Sequence, residues 1–200
     1  LYSMSSALSL AHEPVTGIRH GKLGMWIFLA SEVMFFSGFF TAFIILRNTN
    51  LPVFAHGASE LNWQLAALNT VNLIVSSLTM AMAILSLEHG NKSRFQLYMG
   101  ITFLCACGFL VIKYIEYTTK FSHGIYPGTS SFFGLYFTMT GFHAMHVIGG
   151  MIPIGWMLAK SFTKRGYRDW ERVEILGLYW HFVDLVWIVI FTVVYLLNFK

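Results

Sequence analysis

Five long runs of mostly apolar residues set what this chain can fold into. They cover about 21–46, 63–87, 95–117, 132–159 and 173–197. A helix needs about 20 residues to cross the hydrocarbon of a bilayer, and each run reaches that length. Backbone N–H and C=O groups find no water there, so a spanning segment has to bond within itself. No alternation of the strand kind persists, so five helices are expected. Composition agrees: 56% of the residues are hydrophobic and 11% are charged, too few charges for a water-facing globule. The fold class expected is an all-α membrane protein, a bundle of five transmembrane helices over 21–200 behind a polar N-terminal segment 1–20. The links "RNTNLPVFAHGASELN", "EHGNKSR", "TTKFSHGIYPGTSS" and "KSFTKRGYRDWER" are short and polar.

Charge placement gives an orientation. Arg19, Lys22, Lys92, Arg94, Lys160, Lys164, Arg165, Arg168 and Arg172 fall on one side. Arg47, Lys113, Lys120 and Lys200 fall on the other. Short cytoplasmic loops carry the excess of Lys and Arg, so the N-terminus is expected inside and the C-terminus outside. The +4 formal charge forms no basic stripe, which argues against a nucleic-acid partner. Cys105 and Cys107 point to different sides of a helix and read as unpaired core residues. The stretch "LYSMSSALSLAHEPVTGIRH" is too polar and mixed for a cleavable signal.

Ionisable side chains interrupt nearly every run. Glu32 lies mid-span in the first, where an ionised carboxylate costs at least a few kcal/mol, so it is expected to be protonated or to face a polar interior. Glu116 closes the third. His143 and His146 share a helical face in the fourth, as do His181 and Asp184 in the fifth, with Glu174 two turns earlier. Asn69 and Asn72 make a similar pair in the second. Such a set suits either a metal, haem or proton site, or hydrogen bonds that tie helices together. The HxxH pair lacks a third and fourth ligand. His146 with His181 is the pair available for bis-histidine haem ligation. For His181 and Asp184 the preferred reading is a structural pair in which the carboxylate orients the imidazole. Phe35, Phe36, Phe39 and Phe40 read as packing or lipid contact, and Gly38, Gly149 and Gly150 as places of close helix approach.

The motifs "SEVMFFSGFF", "KYIEY", "GIYPGTSSFF", "TGFHAMHVIGG" and "YWHFVDLVWIVIFTVVYLL" stand in the order found in subunit III of the haem–copper respiratory oxidases, and from about Gly21 onward the chain resembles that family. It is similar to the five-span bacterial form, which lacks two N-terminal spans of a longer seven-span form. The resemblance implies a non-redox accessory subunit in the bacterial inner membrane. Haem and copper then belong to partner subunits, with subunits I and II as partners and a supercomplex as a further setting. It implies a V-shaped cleft that holds phospholipid, support of proton uptake by subunit I, and protection from inactivation during turnover. Glu32 falls on the family's buried membrane carboxylate, and His146 and Lys160 on positions that help hold lipid headgroups. Glu174, His181 and Asp184 fall in its last-helix signature. Cytochrome c is the expected donor to the complex, with quinol the alternative. A nitric oxide reductase relative, a stand-alone haem cytochrome and a proton-coupled transporter are competing readings.

Overall fold

The computed structural model describes residues 20–163, 167 and 169–197. The expected polar segment 1–20 falls outside them except for its last residue, as do Arg19, Lys164, Arg165, Arg168 and Lys200. Helix α1 runs His20–Thr49, α2 Leu51–Ser59, α3 Trp63–Glu88, α4 Lys92–Ser122, α5 Ser131–Ser161 and α6 Trp170–Ile190, and α6 continues as a π-helical stretch, Phe191–Leu196. Five of these segments are long and apolar enough to cross a membrane: Gly21–Thr49, Trp63–Glu88, Lys92–Ser122, Ser131–Ser161 and Trp170–Leu196. Each matches one expected run.

The stops and starts follow local chemistry. Asn62, Asn91 and Ser130 cap α3, α4 and α5, accepting from the backbone N–H of Leu65, Arg94 and Phe133. Each satisfies one of the donors a helix start leaves open. Helices α3 and α4 end at Gly90 and Gly124, with φ of 72° and 75°. That left-handed turn lets Asn91 N–H reach Ser86 O at 2.8 Å and Ile125 N–H reach Lys120 O at 3.0 Å.

Helix α6 is the element around which the others gather. It packs against α1, α3 and α5, while α4 closes the far side between α3 and α5. Trp180 and Trp187 of α6 are fully buried. Lys22, Lys92 and Glu174 share one end of the bundle. There Lys22 meets Glu174 at 2.7 Å, and the Lys92 ammonium donates to Thr163 O at 3.3 Å. At the opposite end Arg47 donates to Leu197 O at 3.1 Å.

Four local expectations are corrected. Part of the first polar link is helix α2: Pro52 pre-sets its first turn, and Phe54 fastens it by packing edge-on against Phe43 and Phe132 at 5.1 and 5.5 Å. Helix α4 runs past Tyr117 to Ser122, so Glu116 lies within the helix rather than at its end. Lys113 and Lys120 are buried, not loop charges, which leaves the proposed outer side poorer in cations than the sequence count gave. Gly38 has open space where a Cβ would be, whereas Gly150 sits against the Trp180 ring, 2.8 Å from that position. Of these glycines it is Gly150 that permits a close helix approach.

Gly57 is the tightest such contact, since an added Cβ would lie 2.3 Å from the Phe132 ring. Gly57→Ala is expected to cost about 1–3 kcal/mol as overpacking, and Gly38→Ala almost nothing. Thermal melting of the two purified variants checks the contrast; equal melting temperatures would show that α2 yields freely.

Candidate functional site

The ionisable residues of the spans fall into three polar clusters. The first joins α1 to α5. His146 Nδ1 lies 2.8 Å from Phe142 O, one helical turn back. A carbonyl only accepts, so Nδ1 carries a proton and donates. Nε2 faces Glu32 Oε2 at 3.0 Å. That is hydrogen-bond distance between carboxyl and imidazole, both 17% exposed. Tyr179 of α6 donates to His146 O at 2.9 Å, and the Phe36 edge covers the imidazole at 5.2 Å. Phe35 and Phe39 pack on Phe142. The mid-span carboxyl thus faces a polar partner, one of the two expectations for it.

The second cluster joins α4, α5 and the π-helical end of α6. The Lys113 ammonium donates to Glu116 Oε2 at 2.8 Å and to Tyr195 OH at 2.9 Å. Tyr136 and Tyr195 both donate to Glu116 Oε1, at 2.8 and 3.0 Å. The Trp187 ring lies 4.6 Å from the ammonium, a favourable face for a desolvated cation. Both oxygens of Glu116 are satisfied and the charges cancel, so this network holds three elements together without exposing charge to hydrocarbon.

The third cluster is a seam of small polar residues of α3 against α6 and α4. Trp187 Nε1–H donates to Thr70 at 3.0 Å, Trp180 Nε1–H donates to Ser76 at 3.1 Å, and Asn72 donates to Cys105 O at 2.7 Å. The expected direct pairing of His181 with Asp184 is not formed. Ser77 Oγ lies 2.5 Å from His181 Nδ1, while neither Asp184 oxygen has a hydrogen-bond partner among the described residues. Asn69 and His143 are buried and equally unpartnered.

The remaining expected residues disperse. His143 and His146 share a face but not a partner: His143 is enclosed by Phe109 and Trp187 at 5.3 and 5.1 Å. Lys160 lies over the Trp156 ring at 4.5 Å, roughly 20 Å along α5 from His146 at 1.5 Å per residue. Glu174 leaves the fifth-span set to pair with Lys22. Among the described residues no group of three or more His, Cys, Asp or Glu is placed to hold a metal ion. Both His146 ring nitrogens are engaged by protein, and Ser77 takes one of His181's, so these two imidazoles do not offer a facing haem pair. Cys105 and Cys107 are unpaired.

Sequence reasoning missed Lys113, Tyr136, Tyr195 and Ser77. Lys113 was legible, since it stands three residues before Glu116 in "KYIEY". Tyr195 and Ser77 carried no local signal. Removing one partner of a buried pair strands the other charge at a cost of about 3–5 kcal/mol. Lys113→Met is therefore expected to lower thermal stability sharply, and the double change Lys113→Met with Glu116→Leu to recover much of the loss. A double change no more stable than the single one would refute the closed network.

Residues 4–199 match the family model described as cytochrome c oxidase subunit III. The cytochrome c oxidase subunit 3 of Bacillus subtilis is 35% identical over 88% of this chain and 86% of its own length. The cytochrome bo(3) ubiquinol oxidase subunit 3 of Pseudomonas putida is 32% identical over 88% and 85%. The quinol oxidase subunit 3 of Bacillus spizizenii is 34% identical over 97% and 95%.

Proposed function

The chain belongs to the cytochrome c oxidase subunit III family, and on that premise we propose that it is the non-redox accessory subunit of a proton-pumping haem–copper terminal oxidase in a bacterial inner membrane. The observation that carries this is the family match along nearly the whole chain. In this reading subunits I and II are its partners and hold the haem and copper. The complex takes electrons from cytochrome c, with quinol the alternative donor; the relatives bear both kinds of name. Orientation follows the cation excess, with Lys22, Lys92 and Arg94 facing the cytoplasm.

The subunit's work is to hold lipid and to steady subunit I near its proton entrance. Helix α1 supports this role. Beside the Glu32–His146 pair it presents Trp26, Val33 and Met34, all more than half exposed, to acyl chains or to a partner helix. Lys160, in the last turn of α5, stands where an ammonium reaches an anionic headgroup. The V-shaped cleft lies along α1 in this reading.

Two measurements test the proposal. A mild-detergent pull-down should bring haem-containing partners with the chain, while the chain alone shows no haem spectrum; donor assays on the complex then assign cytochrome c or quinol. Haem in the isolated chain would overturn the reading. Separately, Glu32→Ala, or His146→Ala together with Lys160→Ala, is expected to lower the phospholipid retained by the purified complex and to shorten its active lifetime during turnover. The initial rate should fall much less. Unchanged lipid and lifetime would sink the lipid role.

A further inference from the structure

Lys120 stands in the last turn of α4 at 6% exposure. Its ammonium donates to one acceptor, the Glu60 backbone O at 3.2 Å, and the Phe133 and Tyr136 rings lie 5.7 and 5.5 Å from it. An ammonium carries three N–H donors, and this one makes no ion pair among the described residues. A buried charge is costly unless it is paired. Lys113, the other buried lysine of α4, shows the contrast, with Glu116 at 2.8 Å. Lys120 borders a cavity of about 210 Å³ at the end of the bundle away from Lys22 and Lys92. Asn62 and Leu65 also line it, so the start of α3 stands in its wall, and a helix start is the positive end of the helix dipole. Two carboxylates border the cavity as well. Glu116 is engaged, since Lys113, Tyr136 and Tyr195 take up both its oxygens. Glu60 is exposed, where water and salt screen it. Leu65 and Ile115 make the rest of the wall apolar. One turn further along the same helix faces stand Leu68 and Val111, 56% and 57% exposed.

We propose that this cavity takes the phosphate group of an anionic phospholipid, with Lys120 as its counter-ion and the acyl chains laid along the α3–α4 face. The phosphate oxygens supply the acceptors that the remaining Lys120 donors lack. A lysine meets a phosphate as a point charge, without the fixed fork of an arginine, so one ammonium beside a helix start makes a site. A free phosphate ion carries the same oxygens, but it has no use for the apolar face that Leu68, Val111 and Ile115 present beside the cavity. That face is the observation that selects a lipid. Glu60 is the opposing charge, and its exposure keeps the opposition weak. Lys160 lies in the last turn of α5, at the other end of the bundle, so the two lysines serve different leaflets. The site extends the lipid-holding role to the second leaflet and rests on the family reading for the complex in which it is tested.

The test is native mass spectrometry of the purified oxidase complex, washed free of loosely held lipid and titrated with phosphatidylglycerol, phosphatidylcholine or inorganic phosphate. The unmodified complex should hold one phosphatidylglycerol more than Lys120→Gln, and Lys120→Arg should keep it. Glu60→Gln removes the opposing carboxylate and should tighten binding severalfold. Lys160→Ala should leave the Lys120-dependent molecule in place. Equal retention by the unmodified complex and Lys120→Gln would overturn the site. So would a Glu60→Gln complex that binds no more tightly, and this second result is read even where Lys120→Gln fails to assemble. Phosphatidylcholine bound as tightly as phosphatidylglycerol would overturn the anionic preference. Inorganic phosphate bound at Lys120 where phosphatidylglycerol is not would overturn the lipid assignment. If no oxidase accompanies the chain, the family reading fails on its own, and the same titration is run on the full chain in detergent.

Discussion

The structure depends on one constraint: a polar group inside hydrocarbon must find its partner in the protein. Helix α6 meets that constraint for most of the bundle. Its two buried tryptophans hand their indole N–H groups to Thr70 and Ser76 of α3, its tyrosine Tyr179 bonds the backbone of α5, and its π-helical end brings Tyr195 to Glu116 and Lys113. A π-helical turn changes the direction of the side chains that follow it, and such turns recur where a particular side chain has to be aimed. Here Tyr195 is the side chain aimed. Without it Lys113 would lose an acceptor and Glu116 a donor.

The same constraint separates clusters that close from clusters that stay open. Lys113, Glu116, Tyr136 and Tyr195 bond to one another in a closed network, which is the signature of a lock. Glu32 and His146 hydrogen-bond each other next to the partly exposed face of α1. Asp184 is left without a hydrogen-bond partner among the described residues. The bundle thus combines one closed polar network with polar side chains that are left open.

Much of the architecture was legible in the sequence because it follows from rules that act over short distances. Run length and apolarity predict five spans, and the short polar links between them mark roughly where each one ends. Helix α2 was not legible: nine residues carry too weak a pattern, and what holds the helix is the packing of Phe54 against aromatic rings from α1 and α5. The sites were legible as residues but not as partners. Spacing of three suggested His143 with His146 and His181 with Asp184. Yet residues that share a face still diverge by tens of degrees, enough to send His146 to α1 and His143 between Phe109 and Trp187.

The sequence by itself determined the class, the number of membrane crossings and the family, since these rest on hydrophobic length and ordered motifs. Only the tertiary structure decided which buried charge meets which. Glu32 and His146 are separated by 114 positions, and Lys113 and Tyr195 by 82. Such pairings depend on the rotation and depth at which neighbouring helices pack, and no single helix encodes either.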